Sequence, residues 1–347
     1  MKKMWKNYNK EDVKAIRNSA IPNALMQIGG RARFDSADAA SIFFARELDY
    51  VKAKSYDKQY PQLSALELFP VNNEVDPGAE TVTYYTYDME GMAKIIDNYS
   101  TDLPRADVNG RPSSAFVKSI GVSYGYSAQE MRASRMAGKN LDARKAEAAH
   151  YQIDAAINRI AWKGDPDHKL LGVLSAGQNI PIFNITAGAN SGRTSWLQKD
   201  ADEILDDVTA MYSQVSKTTK NVERPDVLVL PTDVYTTISM KRVGDTGVTV
   251  LEYIQKHAPF LKEIKAAAEI NSDSTDTNPY ASNIAAQAQA VALLYTKDKD
   301  KIEINNPMNF LQYPVQVNNL ETIVPCEART AGVIVSYPMS ALIAVGV

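Results

Sequence analysis

Apolar and polar residues alternate most regularly in FVKSIGVSYGY, residues 116–126. On an extended strand Phe116, Lys118, Ile120, Val122, Tyr124 and Tyr126 fall on one face, and Val117, Ser119, Gly121, Ser123 and Gly125 on the other. One face is bulky and the other small, and small residues let another backbone approach closely. Upstream, ETVTYYTYD is also two-faced, with Val82 and Tyr84 on one side and Tyr85 and Tyr87 on the other. Between them lies DNYSTDLPRADVNGRPSS, residues 97–114, a polar run broken by Pro104, Gly110 and Pro112. The pattern predicts two long strands joined by a wide tip, an arm rather than a compact core piece. A strand of about ten residues spans roughly 33 Å. An isolated two-stranded ribbon is only marginally stable in water, so such an arm requires a partner surface.

After Ser127 the period changes. SAQEMRASRMAGKNLDARKAEAAHYQIDAAINRIAWKG, residues 127–164, opens with Ser127 and Glu130 in capping-box spacing. It carries an apolar stripe of Ile153, Ile157 and Ile160 running back through Ala149 and Ala146. Gly164 is a natural C-cap and Asp165-Pro166 stops continuation. A continuous helix of ~36 residues is a rod of about 54 Å, with Gly138 as a place to bend. No heptad seam is sustained, so it reads as a spine for other elements rather than a coiled coil.

The rest is coarser. Residues 1–34 have no strong period and read as an extended arm; residues 35–55 read as a helix capped by Asp35 or Ser36. Tyr60-Pro61 and Phe69-Pro70 enforce extended chain. Residues 170–194 are loops and short strands. From there an amphipathic helix is predicted at 199–216 through Ile204, Val208, Met211 and Val215. A buried strand, DVLVLP, follows at 226–231, then a helix at 232–242. GVTVLEYIQKHAPFLKEIKAAAEI suggests two short helices broken at Pro259. AQAVALLYTKD is a strand, and from Lys301 the chain is largely β.

Composition narrows the function. The 347 residues are 45% hydrophobic and 23% charged, as in ordinary globular proteins. A net charge of −3 argues against a dedicated nucleic-acid binder but permits a protein that lives beside DNA. The single cysteine, Cys326, excludes an intramolecular disulfide and reads as a small core residue. The N-terminus has positive charge with no apolar stretch behind it, so no signal peptide is expected, and no apolar run reaches the ~18 residues of a membrane-spanning helix.

The usual catalytic signatures are missing: no GxxxxGK[ST], GxGxxG or HExxH, and GANSG (188–192) puts its serine in the wrong place for a nucleophile elbow. His150, His168 and His257 are far apart in sequence. GDPDH (164–168) gathers two carboxylates and a histidine, yet Gly164 and Pro166 already explain it as a helix-stop turn. NSDSTDT (271–277) lacks the glycine and terminal glutamate of a calcium loop. DKDK (298–301) reads as a solvated turn. The helix 35–55, with Phe43 and Phe44, carries both charge signs and packs on protein rather than on a membrane. No catalytic, cofactor-binding or metal-ligating residue is assigned. What stands out is tyrosine, 18 against 8 phenylalanines, with Tyr84, Tyr85, Tyr87, Tyr99, Tyr124 and Tyr126 on the arm. Tyrosine suits protein–protein contacts because an apolar body carries a polar tip.

The order of elements, with FFARELDYV, LFPVNNEVDPGAETVTYYTYDMEGMAKII, the LPRADV tip, AINRIAWKGD, LLGVL and LVLPTDVY followed by TVLEYI, resembles the major capsid proteins of tailed bacteriophages, whose fold encapsulin shell proteins share. These phrases cover most of residues 43–255. The resemblance implies an α+β fold: an N-terminal arm and helix (1–60), a connection (61–75), an extended β-hairpin loop (76–126), a peripheral domain (127–194) with the spine helix, an axial α/β domain (195–320), and C-terminal strands (321–347) returning to the peripheral or axial sheet. It implies a non-enzymatic shell subunit forming pentamers and hexamers of an icosahedral head. The head would enclose double-stranded DNA without sequence-specific binding, assemble in the bacterial host cytoplasm, and use portal, scaffold or decoration proteins, any scaffold being a separate protein. Shells use head-to-tail contacts repeated around rings, which need no two-fold patch. No cofactor and no membrane partner is expected. In the family the extended loop lies over a neighbouring subunit. Tyr84, Tyr85, Tyr87, Tyr99, Leu103, Arg105, Asp107, Arg111, Phe116 and Tyr124 are therefore the candidate inter-subunit contacts. The alternatives are an encapsulin-type cellular compartment and, more remotely, an α/β enzyme suggested by DVLVLP and the helix after it.

Overall fold

A computed structural model describes residues 60–95, 103–137, 141–281 and 289–347. The chain divides into a unit of residues 1–61 and a unit of residues 62–347, and the elements below belong to the second. The expected arm at 1–34, the helix at 35–55, Gly138 and Tyr99 lie outside the described residues.

Ser64 leads into a one-turn helix, α1 (Ala65–Leu68), which ends at extended Phe69, as the residue before Pro70 requires. After β1 (Val71–Asn72), strands β2 (Thr81–Glu90) and β3 (Asp107–Phe116) form a ribbon, and β4 (Lys118–Ser127) enters the body. The predicted spine follows as α2 (Ala128–Ala137) and α3 (Leu141–Lys163) on either side of residues 138–140. Its capping box is present: Ser127 N–H donates to Glu130 Oε2 and Glu130 N–H to Ser127 Oγ, each at 3.1 Å. Gly164 ends α3 with φ +78°, and a Cβ there would sit 2.6 Å from the Leu170 carbonyl, so glycine is required on both counts. The GDPDH segment is a turn between β5 (Gly164–Asp165) and β6 (Leu170–Leu171), closed by Asp167 N–H on Asp165 Oδ1.

Next come β7 (Ile182–Asn184), α4 (Ala201–Thr218), β8 (Val227–Pro231), α5 (Thr232–Met240), α6 (Val250–His257) and β9 (Glu263–Ala267). The predicted stripe of α4 is buried at all four positions, Ile204, Val208, Met211 and Val215. The segment after Pro259 is not the second helix expected from its alanines. Lys262 and Glu263 N–H both donate to the Asp226 carbonyl, and β9 then runs parallel to β8 from Val227↔Glu263 to Pro231↔Ala267. An open sheet edge overrides the helical preference of KAAA.

The last strands are β10 (Val291–Tyr295), β11 (Ile302–Asn305), β12 (Met308–Gln312), β13 (Gln316–Asn318), β14 (Glu321–Thr330), β15 (Val333–Val335) and β16 (Ala341–Val345). One five-stranded mixed sheet has the order β7-β16-β10-β8-β9. Leu228, Leu230, Ala292, Leu294 and Leu342 pack with α4, α5 and α6 on one face. Val227, Val229, Leu293, Tyr295 and Ile343 pack with Phe69, Ala161 and Trp162 on the other. Both faces are covered, which is why VLVLP, VALLY and ALIAV read as unbroken apolar runs. A second sheet pairs β4 with β14, and β14 with β12 and β13. Its inner face, Ile120, Val122, Tyr124, Val324, Cys326 and Ala328, packs on Ala149, Ile153 and Ile157 of the spine. Cys326 is thus a core residue, as expected, and burial pushes its thiol pKa up. Three strands, β1-β11-β15, complete the body.

Candidate inter-subunit surface

The ribbon is not built from the strands the alternation suggested. β2 pairs in ten steps with DVNGRPSSAF, from Thr81↔Phe116 to Glu90↔Asp107. That segment was expected to be the tip. Of the expected return strand, 116–126, Phe116 closes the ribbon opposite Thr81, and residues 118–126 instead pair within β4 with β14 in the body. The physical reason is that a two-stranded ribbon is all edge. Proline is tolerated on an edge strand, so Pro112 breaks nothing. Gly110 lies under the Tyr87 ring, which a Cβ would approach to 3.0 Å, so the aromatic covers the glycine. The ribbon therefore runs from Thr81 to Phe116 and not to Tyr126.

Its base is held firmly. Val117, between β3 and β4, is buried, and its N–H donates to the Glu80 carbonyl at 2.8 Å. The Arg329 guanidinium donates to the Pro77 carbonyl. Beyond this base no residue of β2 or β3 is buried. Directly opposed residues share a face. One face presents Tyr85 over Pro112, Tyr87 over Gly110 and Met89 beside Val108. Tyr87 is 71% exposed and Met89 85% exposed, an apolar stripe open to solvent. The other face carries Tyr84, Thr86, Asp88 and Glu90 opposite Ser113, Arg111, Asn109 and Asp107. At the tip Met92 and Leu103 are also exposed.

Nine of the ten candidate residues are described, and they divide accordingly. Tyr85 and Tyr87 lie on the apolar face, Tyr84, Asp107 and Arg111 on the polar face, and Leu103 and Arg105 in the tip connection. Phe116 is at the base, with the Lys169 ammonium 5.4 Å over its ring. Tyr124 is separated from all of these. It packs on the spine, and its hydroxyl accepts from Gln312 Nε2 at 3.0 Å. Met89, Met92 and Val108 were missed. The signal was there, because the odd-position alternation of TVTYYTY continues one step further to Met89.

The histidines elsewhere have local partners. His150 Nδ1 lies 2.8 Å from Asp154, His168 Nδ1 lies 2.8 Å from Asp165, and the His257 ring stacks on Tyr253. The three histidines meet no common partner, and among the described residues no group of three or more His, Cys, Asp or Glu is placed to hold a metal. Two buried clusters brace the body. Lys199 Nζ and Trp196 Nε1 both donate to Asp207 Oδ2, at 2.6 and 2.8 Å. Asn158 accepts from Ala65 N–H and donates to Glu269, which also accepts from Ser64 N–H and Oγ. No described helix is long and apolar enough to cross a membrane.

Comparisons with known proteins agree on one architecture. No curated protein sequence matches the chain. Among solved structures, the capsid of Myoviridae phage XM1 is similar with a TM-score of 0.74 at 18% identity, over 89% of this chain and 100% of that one. The capsid of a native GTA particle reaches 0.61 at 12% identity, over 90% and 99%. A virus-like particle from Pyrococcus furiosus reaches 0.51 at 10%, over 80% and 91%. At these identities the likeness establishes the fold, that of the tailed-phage capsids. The family model for major capsid protein matches residues 91–347. The chain belongs to the major capsid protein family and is a subunit of a capsid shell.

Proposed function

We propose that this subunit assembles into pentamers and hexamers of an icosahedral phage head around double-stranded DNA, in the cytoplasm of a bacterial host. The observation that carries the reading is the ribbon, ten residue pairs long with an exposed apolar face and no core of its own. A surface of that kind is stabilised only by a second surface. In this reading the five-stranded sheet with its helices is the axial domain, and the spine with the β4–β14 sheet is the peripheral domain. The mildly acidic chain suits a wall facing packaged DNA, which it confines without reading sequence. Portal, scaffold and decoration proteins are the expected partners, and the subunit's work is structural rather than catalytic.

The test is assembly. Purified chain should form closed shells visible by electron microscopy. A chain lacking residues 84–113, with Thr83 joined to Ser114 through a short turn, should keep its circular dichroism and melting transition but form no shells. Normal shells from that deletion would sink the reading. A cellular compartment of the same fold is a second reading, since the fold is shared beyond the phage capsids by a virus-like particle from Pyrococcus furiosus. Particles isolated with an enzyme inside rather than DNA would select it.

A further inference from the structure

Asn109 is followed by Gly110 and stands exposed on the polar face of the ribbon, directly opposite Asp88. An asparagine before glycine is chemically labile, because the next backbone nitrogen reaches the side-chain carbonyl carbon and no Cβ blocks the approach. The ladder leaves that nitrogen available. Pro112 has no N–H, so in an unbroken ladder its nitrogen points away from β2. Gly110 is two residues earlier on the same strand and has the same orientation. Val108, two earlier again, agrees: its N–H donates to Asp107 Oδ1 at 2.8 Å rather than to β2. The ribbon has two strands, so among the described residues no third strand takes up the Gly110 N–H.

Two other described asparagines precede a small residue, and both are held. Asn190 N–H and Ser191 N–H donate to Glu203 Oε1 at 2.7 and 3.1 Å, which occupies the nitrogen that would attack. Asn271 Oδ1 accepts from Thr232 N–H at 2.9 Å, which fixes the carboxamide ahead of Ser272. Among the described residues the Asn109 carboxamide has no such bond. An extended strand still keeps the carboxamide away from the Gly110 nitrogen, so reaction requires the outer rungs to open. No residue of β2 or β3 is buried, and segments of that kind open locally at low cost.

We propose that Asn109 is a site of spontaneous deamidation through a succinimide, and that the reaction ages the ribbon. The Gly110 nitrogen gives up its proton and attacks Asn109 Cγ. The Cγ–Nδ2 bond breaks, and the nitrogen takes a proton and leaves as ammonia. Water then opens the ring at either carbonyl, giving aspartate or isoaspartate, whose backbone runs through the β-carbon. Both products place a carboxylate directly opposite Asp88, one rung pair from Glu90 and Asp107. Like charges directly opposed destabilise a strand pair. Isoaspartate also lengthens the β3 backbone by one carbon, so the rungs from Asp88 to Glu90 lose register. On the shell-subunit reading, on which this last consequence alone rests, a copy left unassembled loses its competence to assemble with time.

The experiment ages the purified full chain at mildly alkaline pH and follows the tryptic peptide Ala106–Lys118, in which Asn109 is the one asparagine (trypsin passes over Arg111 before Pro112). That peptide should gain about 1 Da and split into two chromatographic products, while the peptides holding Asn190 and Asn271 stay unchanged. Gly110→Ala, whose Cβ meets only the exposed Tyr87 ring, should slow the gain about tenfold or more, and Asn109→Gln should abolish it. No gain in the peptide, or an equal rate in Gly110→Ala, overturns the site. In the aged chain, amide exchange over residues 86–111 should rise while β8 and β10 keep theirs. Unchanged exchange overturns the effect on the ladder. Aged parent chain should also give fewer shells by electron microscopy than aged Asn109→Gln chain. Equal yields overturn the timed loss of assembly and leave the site standing. Fresh chain that forms no shells overturns the shell reading instead, and the mass gain still decides the site.

Discussion

The five-stranded sheet and the ribbon are made of the same hydrogen bonds and are opposites in everything else. Every residue of β8, β10 and β16 is buried. No residue of β2 or β3 is, although β2 carries three tyrosines and a valine. The difference shows where strand stability comes from. Backbone pairing nets little against water, while each large apolar side chain removed from water contributes about 1.5–3 kcal/mol. The sheet collects that contribution within the chain. The ribbon's apolar surface is exposed among the described residues, and on the proposed reading its stabilisation comes with assembly.

This contrast is broken most directly where the sheet meets the spine. Trp162 is wholly buried and packs edge-on to Phe69 with ring centroids 5.3 Å apart, and Phe69 in turn packs on Tyr295 of β10. Trp162→Ala should cost the unassembled subunit about 3–5 kcal/mol, read as a drop in the denaturant midpoint. Next in size is Asp207→Ala, which strands the buried Lys199 ammonium and the Trp196 N–H. A loss of about 3 kcal/mol is expected. Asp207 itself is pushed up by burial and held back by Lys199 and Trp196, so the aspartate requires both donors. A melting temperature unchanged by either substitution would mean the body is not the single cooperative unit these contacts describe.

What could be read in advance follows the same division. Buried runs such as VLVLP, the four-residue stripe of α4 and the Ser127–Glu130 cap are local patterns, and each appears where its spacing puts it. β9 is not local: its alanines favour helix, and only the open edge beside β8 makes it a strand. The Asn158–Glu269–Ser64 clamp joins residues up to 205 positions apart and leaves no trace in composition. The ribbon was half legible. Its first strand and Tyr85, Tyr87 and Leu103 were visible as candidate surface, but Gly110 and Pro112 disguised its second strand as a loop. The regular alternation of Lys118–Ser127 proved to be the mark of a strand with one face on the spine, the ordinary cause of such a pattern.

A smaller effect is expected in the body on lowering pH. Glu203 accepts from Ser191 Oγ at 2.6 Å and from the N–H groups of Asn190, Ser191 and Asp200. These donors, the Ser191 hydroxyl foremost, hold its pKa down to about 2 from an ordinary 4.5. A carboxyl depressed on folding contributes stability above its unfolded pKa and loses it as pH falls through the folded one. The loop 188–200 should therefore loosen between about pH 4.5 and pH 2, and Glu203→Gln should flatten that part of the melting-temperature profile. The tryptophan environment at Trp196, which lies within this loop, should report the change. An identical acid limb in the variant would exclude Glu203 as its source.

The smallest effect on folding is expected where the effect on assembly is largest. Tyr85 and Tyr87 are exposed and lie opposite Pro112 and Gly110 of the facing strand. Replacing both by serine removes an apolar stripe while leaving the ladder hydrogen bonds in place. Away from a core, cap or strained turn, such surface changes stay within about 0.5 kcal/mol. The double variant should melt with the parent and yet fail to build shells, since on the proposed reading the lost area is the area a second copy covers. A large drop in subunit stability would mean that the ribbon face is already packed in the isolated chain, and the opposition between ribbon and sheet would collapse. Unchanged stability with unchanged shells would move the contact to the polar face of Tyr84 and Arg111, which opposes the stripe across the same ribbon.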